Sequence, residues 1–153
     1  MYEELASEIQ AYGVDIIEMK FKGNHKGLYG DNVIAINKKI DTDKEKACVL
    51  AEEIGHHYTT YGNITDQSDL RNRKQEKRAR NHAYEKLVGI VELINAFEAG
   101  IQGRYDLAEY LNVTESFLEY SIQHYREKYG IYFEIDNYII YFEPNLYVMK
   151  AFK

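Results

Sequence analysis

The sequence predicts an α+β protein, on three observations. A short amphipathic segment at the start gives way to brief runs of Val, Ile and Tyr set between Gly, Asn and Asp. A long central stretch then repeats its apolar residues at helical spacing, and a second pair of strand-like runs lies near the end. Residues 1–100 and 101–153 are expected to form two segments, the second packed on the first.

Tyr2, Leu5, Ala6 and Ile9 share one face of a helix that Gly13 ends. Residues 14–21 read as a strand, and Gly23-Asn24-His25-Lys26-Gly27 as a turn. Leu28-Tyr29 and Val33-Ile34-Ala35-Ile36 flank Gly30-Asp31-Asn32, so a small antiparallel sheet is expected in the first 40 residues. Thr42 or Asp43 can cap a helix over 44–59. Tyr61-Gly62-Asn63 breaks the chain, and 65–72 is polar and loop-like. Ala79, Ala83, Leu87, Ile90, Val91 and Ile94 then predict one helix over 73–97, with Gly89 as its weak point.

After Gly103 the spacing from Asp106 to Leu118 suggests a helix-turn-helix, followed by a longer helix to Tyr129-Gly130. Residues 131–142 read as a hairpin turning at Asp136-Asn137 and closed by Pro144. Such an arrangement suits DNA only if its second helix is basic. This one carries Glu115, Ser116, Glu119, Tyr120, Gln123 and His124, so it reads as a protein-facing scaffold.

Composition narrows the function classes. The 153 residues carry a net charge of −6, and 45% are hydrophobic, which argues against disorder and against phosphate-backbone binding. The local exception, residues 71–80, holds six basic side chains and reads as a solvated helix face. Fifteen Tyr and no Trp have no functional explanation. Cys48, among Ala47, Val49 and Leu50, reads as a buried thiol. The first residues lack a signal-peptide pattern and no apolar run approaches a membrane span, so a cytoplasmic protein without membrane contact is expected.

The chemistry concentrates in Glu52-Glu53-Ile54-Gly55-His56-His57. In a His-Glu-x-x-His helix, two histidines at i and i+4 hold zinc and the Glu is the general base. Here Glu52 replaces the first His, Glu53 occupies the base position and His56 the second ligand position. Helical geometry puts Glu52 and His56 on one face, with Glu53 turned away by about 100°. A third ligand must come from another element. Glu76 is a good candidate, with Ala79 and Ala83 small enough to admit a close approach. Asp66, Asp69, His82 and Glu85 compete with it, and Glu53 with His57 forms a second i, i+4 pair. No phosphate loop or serine-nucleophile elbow is present.

Residues 49–60, Glu76-Lys77-Arg78-Ala79 with Ala83, and Val33-Ile34-Ala35-Ile36-Asn37 together resemble the ImmA/IrrE family of metallopeptidases. The resemblance covers residues 1–97, and 104–130 resemble the C-terminal helices of its phage-type members. It implies a zincin-like (thermolysin-like) fold and a cytoplasmic metalloendopeptidase of phage or mobile-element origin. It implies Glu53 as base and His56 and Glu76 as ligands, with Glu52 where the family usually has a His and His82 where it usually has Phe. The substrate it implies is a helix-turn-helix repressor; the alternative is a degenerate module that binds such a repressor without cleaving it. Glu52, His56 and Glu76 would neutralise the formal charge of zinc, weakening it as a Lewis acid and relaxing preference toward manganese or iron. His57, Tyr58 and His82 are candidates for oxyanion or accessory roles.

Overall fold

The structure, a computed structural model, describes residues 1–59 and 70–151. The chain break at Tyr61-Gly62-Asn63, the start of the polar loop, Asp66 and Asp69 all lie outside the described residues. Two compact units, Met1–Lys86 and Leu87–Lys153, each have their own core.

The first unit opens with α1 (Tyr2–Gln10), whose Tyr2, Leu5, Ala6 and Ile9 are buried. Gly13, at φ 87°, turns the chain toward β1 (Asp15–Met19). Strands β2 (Gly27–Gly30) and β3 (Val33–Asn37) form a two-residue hairpin. Asp31 and Asn32 both adopt positive φ there, as a primed turn requires. The sheet order is β1-β3-β2, with β1 parallel to β3 and β2 antiparallel to it. The expected antiparallel sheet is therefore mixed, because β1 meets the far strand of the hairpin after a loop long enough to reverse direction. Central β3 is buried from Ile34 to Asn37, which leaves β2 as an edge.

Helix α2 (Asp43–Thr59) packs on this sheet and on α1. Thr42 caps it, its hydroxyl oxygen accepting from the Glu45 amide at 3.2 Å. Ala47, Leu50 and Ala51 are almost wholly buried, so α2 is the central helix of the unit. Helix α3 (Leu70–Leu87) follows, and the part of the expected loop over 70–72 is its first turn.

The single helix expected over 73–97 is two. Gly89, at ψ 158°, takes an extended conformation and starts α4 (Ile90–Glu98). In the second unit, α5 (Arg104–Leu111) and α6 (Glu115–Tyr129) meet across Asn112 in the left-handed conformation, and Thr114 caps α6. Leu107, Leu111, Phe117, Leu118 and Ile122 form their shared core. The Tyr125 hydroxyl donates to the Val88 carbonyl at 2.7 Å. Strands β4 (Tyr132–Ile135) and β5 (Tyr138–Tyr141) make the expected hairpin. A third strand, β6 (Tyr147–Lys150), pairs with β5, so Pro144 lies within the sheet's last connection rather than closing it. The α+β class therefore holds. Among the described residues no helix is long and apolar enough to cross a membrane.

Candidate functional site

Two glycines place the site. A Cβ on Gly55 would stand 2.2 Å from the carbonyl oxygen of Ala79, so α2 and α3 touch backbone to backbone there. Ala79 and Ala83 are wholly buried, as that approach demands. His56 follows Gly55, and Glu76 precedes Ala79 by about one turn of α3, so their side chains meet. Nε2 of His56 is 3.0 Å from Oε2 of Glu76.

The second glycine is Gly27 on β2. A Cβ there would lie 2.8 Å from Cγ1 of Val49, 2.9 Å from Cγ of Glu53 and 3.0 Å from its Oε1. The edge strand thus runs directly over the Glu53 side chain, which is 8% exposed. Glu52 and Glu53 are consecutive on α2, and only Glu53 faces β2 so closely.

The electrostatics follow from this crowding. Burial pushes the Glu53 carboxyl up to about 7, aided by the carboxylates of Glu52 and Glu76 and opposed by His56. Burial also raises Glu52, against the opposing charge of Arg80. For His56, burial disfavours the charged ring, but the Glu76 hydrogen bond and surrounding carboxylates prevail and hold its pKa above the ordinary value. The same hydrogen bond lowers Glu76.

Nε of Arg80, one turn further along α3, reaches Oε1 of Glu76 at 3.2 Å. Its place at i+4 from Glu76 is legible in the sequence, yet the basic run around it hides the role. Gly27 and Tyr29 left no comparable signal, since their relation to α2 is tertiary.

His57 and His82 belong to a line of rings. Nδ1 of His57 is 2.7 Å from the Tyr29 hydroxyl, and the His57 ring meets Tyr58 edge-on at 4.9 Å. Tyr58 stacks on His82 at 5.4 Å. Nδ1 of His82 is buried without a hydrogen-bond partner among the described residues, and burial lowers its pKa. Cys48 is a buried thiol outside any disulfide among the described residues.

The donor set suits a divalent ion in type: one imidazole and two carboxylates. Two tetrahedral ligands of one zinc stand about 3.3 Å apart, close to the His56–Glu76 separation. That pair is instead closed by its own hydrogen bond. Among the described residues no three His, Cys, Asp or Glu side chains already form a metal-ligand group. Glu52 bears on both partners electrostatically and stands one turn before His56 on α2.

The site thus consists of a helix bearing a buried Glu and a His, the His paired with an acidic residue of a second helix. The family model for the IrrE N-terminal-like domain, a peptidase family, matches residues 9–123, and the chain belongs to that family. No curated protein and no solved structure matches the chain.

Proposed function

We propose that this protein is a metal-dependent endopeptidase acting on a specific protein partner. The observation that carries the reading is the His56–Glu76 pair beside the buried carboxyl of Glu53. Family membership supports a metallopeptidase type of function. Glu52, His56 and Glu76 would hold the ion, zinc or else manganese or iron, which when bound supplies Lewis-acid activation of water and the scissile carbonyl.

Glu53 takes the proton of the attacking water and passes it to the leaving amine. A carboxyl poised at about 7 suits both halves of that transfer. The covering strand keeps bulk water from the carboxyl. Edge strand β2, unpaired on its outer side among the described residues, also offers a backbone to which an extended peptide can add. Arg80, a cation beside Glu76, joins His57, Tyr58 and His82 as a candidate to meet a developing oxyanion.

The partner we propose is a helix-turn-helix repressor encoded beside this protein in a phage or mobile element, met in the cytoplasm. Tyr105, Tyr110 and Tyr120 are exposed on α5 and α6, where Asp106, Glu109 and Glu115 supply negative charge and Glu119 pairs with Arg104. That surface favours a basic protein over nucleic acid.

The test incubates the neighbouring repressor with wild type and Glu53→Gln in the presence of zinc, manganese or iron. Cleavage by wild type alone supports the enzyme. Glu52, standing where the first His ligand is usual, leaves a second reading, an interaction module that binds without cleaving. Stoichiometric binding with no cleavage by either protein would establish that module instead.

A further inference from the structure

We infer that Tyr29 is a positioning residue, and that β2 is clamped onto α2 to hold the Glu53 carboxyl in one orientation. The inference rests on the reading of Glu53 as general base. Two separate contacts make the clamp. At one end of β2, Gly27 lies so close to Val49 and Glu53 that no side chain fits between strand and helix. Two residues on, the Tyr29 hydroxyl meets Nδ1 of His57 at 2.7 Å.

The period of a strand explains why these contacts cooperate. Gly27 and Tyr29 share one face of β2, both half-buried, while Leu28 and Gly30 are exposed. On α2, Glu53 and His57 are one helical turn apart and share a face. The two elements therefore touch at two matched points.

One contact is steric and the other is a hydrogen bond. The steric contact alone would stop β2 from moving inward, toward Glu53. It would not stop the strand from lifting away, because among the described residues β2 pairs with β3 on one side only, and the Lys26–Glu45 ion pair that also joins its start to α2 is solvent-exposed. The Tyr29–His57 hydrogen bond closes that freedom. The hydroxyl also lies 3.4 Å from Oδ1 of Asn32 in the hairpin turn, a longer contact that ties the same ring to its own strand. A lifted strand would admit water to the Glu53 carboxyl and free its rotamers, so the hydroxyl acts on Glu53 through the strand.

The experiment compares wild type with Tyr29→Phe, His57→Leu and His57→Asn. The last keeps a polar atom near the position of Nδ1. Hydrogen exchange of the β2 amides reports the strand, and the side-chain carboxyl carbon resonance of Glu53, assigned with Glu53→Gln, reports the carboxyl. Exchange in β2 should rise about fivefold in Tyr29→Phe and His57→Leu, the factor one part-buried hydrogen bond carries. The Glu53 resonance should move or broaden in the same two variants, and His57→Asn should restore both readouts. An unchanged Glu53 resonance in Tyr29→Phe overturns the inference, whether or not exchange rises. Neither readout needs turnover, so a wild type that cleaves nothing removes the peptidase reading and leaves this result to stand or fall by itself.

Discussion

The backbone at Gly55 touches the backbone at Ala79: a Cβ on the first would sit 2.2 Å from the carbonyl oxygen of the second. Everything at the site depends on that approach, since it sets the spacing of α2 and α3 and hence the 3.0 Å contact between His56 and Glu76. Gly55→Ala should therefore cost more than an ordinary helix substitution, which would stabilise through propensity. We expect a loss of about 1–3 kcal/mol from overpacking, together with a weakened His56–Glu76 contact. Urea unfolding checks the first, and the histidine ring nitrogen shifts check the second. A stability equal to wild type would mean that the helices are not so tightly apposed.

The metal-free protein should be most stable in mild acid. Glu53 has its folded pKa raised from 4.5 to about 7, so the folded chain holds a proton there that the unfolded chain has lost. Stability therefore falls as pH rises from about 4.5 to about 7, by on the order of 3 kcal/mol for this group. His56 acts in the same sense: its pKa is raised from 6.5, so its contribution is full below that value and lost as pH climbs through the folded one. Glu76 is lowered from 4.5, and its contribution disappears as pH falls through its folded value. Unfolding midpoints at about pH 5.5 and about pH 8 should differ in favour of the former. Glu53→Gln should flatten most of that difference.

Glu76 and Arg80 should differ sharply in what they contribute. Glu76→Gln removes the anion whose hydrogen bond raises the His56 pKa, so that pKa should fall and stability drop by about 1–3 kcal/mol. Arg80→Gln removes a partner whose side chain is half exposed, and the loss should stay under about 1 kcal/mol. Proton titration of the histidine by magnetic resonance, beside thermal unfolding, separates the two variants. An unmoved His56 in Glu76→Gln would contradict the pairing.

Metal retention should depend on Glu52 as well as on the pair. Purified wild type dialysed against zinc, manganese or iron should bind one ion, and Glu52→Ala, His56→Ala and Glu76→Ala should each lose it. Glu52→His should tighten zinc by restoring a nitrogen donor. Saturating metal at 100 times its dissociation constant should stabilise wild type by about 2.7 kcal/mol. Equal affinity in wild type and Glu52→Ala would assign the third ligand to another residue.

Local pattern was enough for most elements. Spacing of apolar residues located α1, α2 and the α5–α6 pair, and the Asp31-Asn32 and Asp136-Asn137 turns marked two hairpins, because helices and tight turns are set by neighbours in sequence. The i, i+4 relation of Glu52 to His56 was also legible from helical periodicity, whereas Glu76 stood among several candidate partners until the family resemblance singled it out. What sequence could not supply was anything fixed by contact between distant segments. The parallel pairing of β1 with β3 and the third strand β6 both depend on where the chain finds a partner for its backbone. Gly27 and Gly55 look alike as letters, yet packing makes each the one residue that fits. The Glu53 pKa is likewise a tertiary property, because the strand and helices that exclude water from it come from separate parts of the chain.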